Sequence, residues 1–227
     1  MNEFAGSLLR IGPASARAIP FAIYIVFLAI GPWLASHLAD GRWLYACQIV
    51  AVAIALALLA PRFVELRDSR RELGRESLLA LAVGVAVFVM WINLDQSWAS
   101  LGASKGFDPR DALGNIDWPL AIVRVAGAAL VVPVMEELFW RSFIMRWIEL
   151  PRFLELPPAR VALRGLVLSS ILFGLEHTLW LAGILAGLAY AWLYMRRGNL
   201  WSPIIAHGVT NFLLGAWVLY SGNWQFW

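Results

Sequence analysis

The sequence has one cysteine and three histidines in 227 residues. Cys47 alone can form no intrachain disulfide, and its place in an apolar run predicts a small packing residue. Charge is scarce as well: Asp, Glu, Lys and Arg make up 15% of the chain, where soluble domains carry about 25%. There is no visible internal repeat, no low-complexity tract and no HExxH motif. The alternating segments of about ten residues that a membrane β-barrel needs are missing too. The net charge of +3 does not mark a nucleic-acid binder, because the basic residues sit between apolar runs. A disulfide scaffold, a soluble domain, a closed barrel and a polynucleotide-binding module are all disfavoured.

Apolar side chains are what the sequence has in quantity: 61% of residues are hydrophobic and the mean hydropathy is +0.70. Seven runs stand out, at 18–38, 43–61, 76–94, 118–145, 163–179, 181–196 and 203–220. Each reaches or approaches the length a helix needs to cross a ~30 Å hydrocarbon core. Lipid leaves backbone groups no outside partner, so these runs predict an all-α, polytopic transmembrane bundle of seven to eight spans. Arg10 and Arg17 precede the first run. At roughly 20 residues it exceeds the apolar region of a signal peptide, so a retained span is expected.

The basic residues predict an orientation. With the N-terminus in the cytoplasm, 14 of the 18 Lys and Arg fall on the cytoplasmic side: Arg10, Arg17, Arg62, Arg67, Arg70, Arg71, Arg75, Arg141, Arg146, Arg152, Arg160, Arg164, Arg196 and Arg197. Arg42, Lys105 and Arg110 fall opposite, and Arg124 lies inside a span. The segment RFVELRDSRRELGRES reads as a solvated surface able to touch anionic headgroups. The loop from Asp95 to Asp117 is acidic and faces outward. Pro133 predicts a kink just before Glu136. Gly183 and Gly187 predict close helix packing. Ser202 and Pro203 read as an N-cap and a first helical residue. Arg124 is expected to snorkel or to pair with an acidic loop residue, and His37 to sit at the interface. Trp43, Trp98, Trp118, Trp147, Trp201 and Trp224 form an interfacial belt.

Three later runs carry polar groups that lipid would not tolerate: Glu136, Glu137 and Arg141 in MEELFWR, Phe173, Glu176 and His177 in FGLEH, and His207 and Asn211 in HGVTN. Glu137 and Arg141 are four apart and share a helix face, in the favourable order. Glu136 is turned about 100° away, which leaves it free of that pair. Counted along the helices, Glu136, His177 and His207 reach overlapping depths in the cytoplasmic half. The residue types suggest hydrolysis. A buried carboxyl can take a proton from water, a histidine can orient that water, and a second histidine with Asn211 can hold a developing oxyanion. Glu136, His177 and His207 could instead hold zinc.

The motifs EExxxR, FxxxH and HxxxN, in this order on successive spans, resemble the CAAX protease and bacteriocin-processing family of intramembrane endopeptidases. The likeness covers about residues 118–215 and extends to bacterial members that accompany exosortase systems. It implies a catalytic helical core over 116–220 behind N-terminal helices over 1–115. It implies a multi-pass protein of a bacterial cell membrane whose site opens to the cytosol, and membrane lipids, a membrane-associated protein substrate and an exosortase-type system as partners. Carried over, Glu136 is the base, His177 helps activate water, His207 and Asn211 stabilise the oxyanion, and Glu137, Arg141 and Phe173 support them. Metal dependence stays open. The bland alternatives are a structural ion pair at Glu137 and Arg141 and satisfied interior histidines, in a non-catalytic scaffold or bacteriocin-immunity factor. A proton-relay transporter is the third reading, weakened by the missing repeats.

Overall fold

The computed structural model describes residues 11–68, 73–102, 104 and 106–227. Among the described residues the helices are α1 (Pro13–Ala35), α2 (Leu44–Leu59), the short α3 (Val64–Asp68), α4 (Leu73–Asn93), α5 (Trp118–Trp147), α6 (Leu163–Leu175), α7 (Trp180–Arg197) and α8 (Trp201–Ser221). No strand occurs among the described residues. Each of the seven apolar runs is a helix. Among the described residues, four stretches are long and apolar enough to cross a membrane: α1, Gly41–Arg62 around α2, α5 and α8. Residues Ser77–Asn93 and helix α6 are apolar but shorter. The 13 residues of α6 rise only about 20 Å. The chain therefore turns back before a full crossing, and that turn carries Glu176 and His177.

Helix α5 is not regular. π-helical turns occupy Gly127–Val131 and Leu138–Ile144, with α-helix between them at Val132–Glu137. Pro133, which cannot donate to the carbonyl one turn back, sits just after the first of these turns. The expected kink thus takes the form of widened turns on either side of Glu136 and Glu137, a device often found at functional sites. α8 runs alongside. The Asn211 amide donates to the Ala128 carbonyl at 2.8 Å. A Cβ on Gly208 would come within 2.8 Å of the Ala129 carbonyl.

Glycines let the other helices close in. A Cβ on Gly183 would stand 2.8 Å from Gly174 Cα, and one on Gly187 would stand 3.0 Å from Ser170 Cα. Both glycines singled out in the sequence therefore serve the α6–α7 contact. Gly84 of α4 faces the Ala206 carbonyl of α8, and Thr210 donates to the Gly84 carbonyl at 2.9 Å.

Away from the cavity, a polar knot ties the first half of the chain to the second. Arg17 reaches both oxygens of Glu65, at 3.0 and 2.5 Å. Arg146 reaches Glu65 Oε1 at 3.0 Å, and the Ser142 hydroxyl also donates to that oxygen. Burial alone would raise the Glu65 carboxyl, but Arg17, by hydrogen bond and charge, and then Ser142 hold it below the usual carboxylate range.

Several expectations change here. The Glu65 side chain is only 9% exposed and is ion-paired, so the segment beginning at Arg62 is not a wholly solvated loop. Arg17, Arg141 and Arg146 are buried partners of carboxylates rather than loop charges. Arg10, Arg70, Arg71 and Lys105 of the charge count lie outside the described residues, as does the side chain of Arg75. Cys47 is exposed on the bundle surface instead of packed inside. α8 starts two residues before Pro203, and its first turn is capped by Asn199, whose side-chain oxygen accepts from the Ser202 N–H at 2.9 Å. His37 is exposed at the end of α1, as expected, with its ring on the Trp33 carbonyl. Trp201 is pinned by a hydrogen bond to the Leu66 carbonyl. Trp98 and Trp118 stay exposed near helix ends.

Candidate active site

The π-turned middle of α5 points its two glutamates in different directions. Glu137 is fully buried and spent twice. One oxygen meets His207 Nδ1 at 3.0 Å, and the other lies 3.2 Å from Arg141 Nε. Arg141 spreads over the Phe173 ring, 4.3 Å from its centroid. Glu136 is also buried, but its Oε2 has no hydrogen-bond partner. The nearest cationic or imidazole nitrogen is His207 Nε2, 3.9 Å away. A water could touch both atoms at about 2.8 Å.

The histidines are oriented by their other nitrogens. A carboxylate only accepts, so His207 carries a proton on Nδ1 and turns Nε2 toward Glu136. Tyr190 stacks on its ring, with centroids 4.9 Å apart, and is itself fixed by a 2.7 Å bond to Thr210. His177 donates from Nδ1 to the Phe173 carbonyl at 2.8 Å, which leaves Nε2 bare. Trp91 meets the His177 ring edge-on at 5.4 Å. Asn211 spends one N–H on the Ala128 carbonyl and keeps a second.

Glu136, His177, His207 and Asn211 all line one cavity of about 190 Å³. Phe173 is the buried wedge among Arg141, His177 and His207. The structure thus brings together every residue the motifs singled out. The metal-capable cluster has a different third member from the one expected. Ligand atoms of Glu136, Glu176 and His177 lie within 4.8 Å of one another, while His207 is engaged by Glu137. Glu176 is exposed and accepts from Trp140 Nε1 at 3.0 Å.

No sequence motif marks the far wall. Tyr24 and Tyr45 from the first two helices and Trp91 from α4 line the same cavity. So does Arg124, whose guanidinium lies over the Tyr45 ring rather than beside a carboxylate. Glu136 and His207 at one end are buried, while Arg124, Trp91 and Trp227 at the other are half-buried. The cavity therefore opens at the end that bears the 95–117 loop. Phe226 also borders a cavity of about 270 Å³ lined by Asp95, Ser97, Ser100, Ser104 and Thr178. That end is opposite the one where the arginine-rich segments lie.

No curated protein and no solved structure matches the chain. A family model does match residues 118–213, the stretch that carries Glu136, His177, His207 and Asn211. Over those residues the chain is similar to the Rce1-like type II CAAX prenyl endopeptidases, a protease family.

Proposed function

We propose that the chain is an intramembrane endopeptidase that hydrolyses a peptide bond of a membrane-associated protein or peptide. The observation that carries this reading is the contrast between two adjacent carboxylates. Glu137 is held by His207 at 3.0 Å and ion-paired with Arg141 at 3.2 Å, whereas Glu136 lines the cavity with His207 Nε2, at 3.9 Å from its Oε2, as the nearest cationic or imidazole nitrogen. An idle buried carboxylate is costly. A role in taking up a proton explains why it is kept.

In this mechanism Glu136 accepts a proton from water. The bare Nε2 of His177 accepts the water's other O–H and aims the oxygen at the carbonyl carbon. The spare N–H of Asn211 receives the developing oxyanion. His207, held by Glu137 at Nδ1, lines the same cavity beside Asn211. Glu136 then returns the proton to the leaving amine. The residue types also fit a divalent cation: Glu136, Glu176 and His177 would hold it, and a bound cation would polarise the water. Activity that survives exhaustive chelation assigns water activation to the side chains alone. Activity lost on chelation and restored by Zn²⁺ assigns it to the cation.

The test is mass spectrometry of protein termini in host cells carrying wild type or Glu136→Gln. A terminus found only with wild type is the expected result and names the substrate. Identical termini, with both proteins expressed and folded, refute the protease reading and favour a non-catalytic scaffold.

A further inference from the structure

Arg124 lies on the first regular stretch of α5, at the open end of the cavity. Its guanidinium carbon is 4.2 Å from the centroid of Tyr45 and 5.6 Å from that of Phe107. One ring comes from the start of α2 and the other from the 95–117 loop, so two separate elements hold the group. Gly127, one turn deeper, permits this. A Cβ there would stand 2.9 Å from the Tyr45 hydroxyl and 2.8 Å from Ile49, so α2 could not approach as closely.

Among the described residues no carboxylate pairs with Arg124, although acids are plentiful at this end of the molecule. Asp40 and Asp117 both serve Arg42, at 2.7 and 3.7 Å. Asp108 is taken by Arg110 at 2.5 Å. Asp111 accepts the backbone N–H groups of Leu113 and Asn115, each at 2.9 Å. Glu136 is twelve residues further along α5, about 15–18 Å at helical rise, beyond any direct pairing. A guanidinium stacked on an aromatic face keeps its N–H edge free, and that edge matches a carboxylate in fork geometry. The arginine is thus positioned, unneutralised and directed into the cavity that holds the candidate catalytic groups.

We propose that Arg124 is a specificity-determining residue that binds a carboxylate of the peptide substrate, either an acidic side chain or a free C-terminus. This rests on the endopeptidase reading above.

Two readouts separate this proposal from the reading on which it rests. The first is binding. The Glu136→Gln protein in zwitterionic nanodiscs is titrated with fluorescent peptides in matched pairs, free acid against C-terminal amide and Asp against Asn scanned along the chain. At least one acidic peptide is expected to bind roughly tenfold or more tightly than its neutral twin. A preference that follows the terminal carboxylate identifies a C-terminus, and one that follows Asp identifies a side chain. Adding Arg124→Gln should erase the preference, and Arg124→Glu should transfer it to a Lys-bearing peptide. Equal binding of acid and neutral twins, a preference that persists in Arg124→Gln, or no binding at all overturns the proposal. So does an Arg124 effect that follows anionic lipid content alone, which would assign the residue to a headgroup. The second readout is cleavage of the same peptides by the protein with Glu136 intact. Glu136-dependent cleavage that is indifferent to Arg124 removes the subsite and leaves the protease. Carboxylate binding without any cleavage removes the protease and leaves the binding site.

Discussion

Two neighbouring glutamates meet different fates because a helix turns about 100° per residue. Glu137 faces Arg141 and His207, and Glu136 faces the cavity. Their substitutions should therefore differ in kind. Glu136→Gln is expected to cut the rate by roughly a hundredfold or more, as loss of a general base does, with little change in melting. Glu137→Gln leaves Arg141 buried beside a neutral group and is expected to cost about 3 kcal/mol or more. It should lower the melting temperature along with activity, and Arg141→Ala should do the same. Wild-type melting in both of these variants would remove the supporting role. Glu65 is a second such case, outside the spans. Its carboxyl is held below the ordinary value of 4.5, so the stabilisation from Arg17 and Arg146 is complete above that pH. It is lost as pH falls through the lowered folded value. Thermal melts from pH 7 down to 3 should show wild type losing stability over this window, whereas Glu65→Gln, weaker at pH 7, should lose less. Parallel curves would mean that the knot contributes nothing through charge.

At the scale of elements, legibility in the sequence followed how local the physical constraint was. Seven helices could be read because a bilayer demands apolar runs of a given length. The Glu137–Arg141 pair could be read because four-residue spacing fixes a face. The π-turns around Glu136, the cap on α8 from Asn199 and the aromatic wall from α1, α2 and α4 could not, since each depends on which helices become neighbours. Glu176 was visible only as an oddity, and its partner Trp140 is 36 residues away. The α6–α7 hairpin gives this a test. A Cβ on Gly174 would overlap Ile184 Cγ1 and meet the Trp180 carbonyl at 2.7 Å, a backbone atom that cannot rotate away. Gly174→Ala should thus separate the two helices just before His177. The expected cost is about 1–3 kcal/mol of stability, with a loss of activity greater than the fall in folded protein accounts for. Activity that only tracks the folded fraction would show that the hairpin does not position His177.

For the whole molecule, the two ends carry different chemistry. One end has Arg17 and Arg146 knotted to Glu65, with Arg62 and Arg164 nearby on the same face of the membrane. The other has the 95–117 loop, the acids paired with Arg42 and Arg110, and the mouth of the cavity. Some arginines counted for topology are buried structural partners, which weakens a bare count. Arg62, Arg67, Arg152, Arg160, Arg164, Arg196 and Arg197 still lie at the first end, with Arg42 and Arg110 at the second. The positive-inside bias predicts a cavity mouth facing away from the cytosol, with substrate reaching Glu136 from that side. Leu113 offers a direct check because it is 87% exposed on the 95–117 loop. Cys47, the single native thiol, is also exposed, so Cys47→Ala provides the background into which Leu113→Cys is placed. A membrane-impermeant maleimide added to intact cells should label this variant. Labelling only after the membrane is opened would invert the molecule, place the mouth in the cytosol and restore the orientation that the family resemblance implies. Arg124 would remain at the mouth in either case, since its neighbours Tyr45 and Phe107 are fixed by the fold and not by the membrane's sidedness.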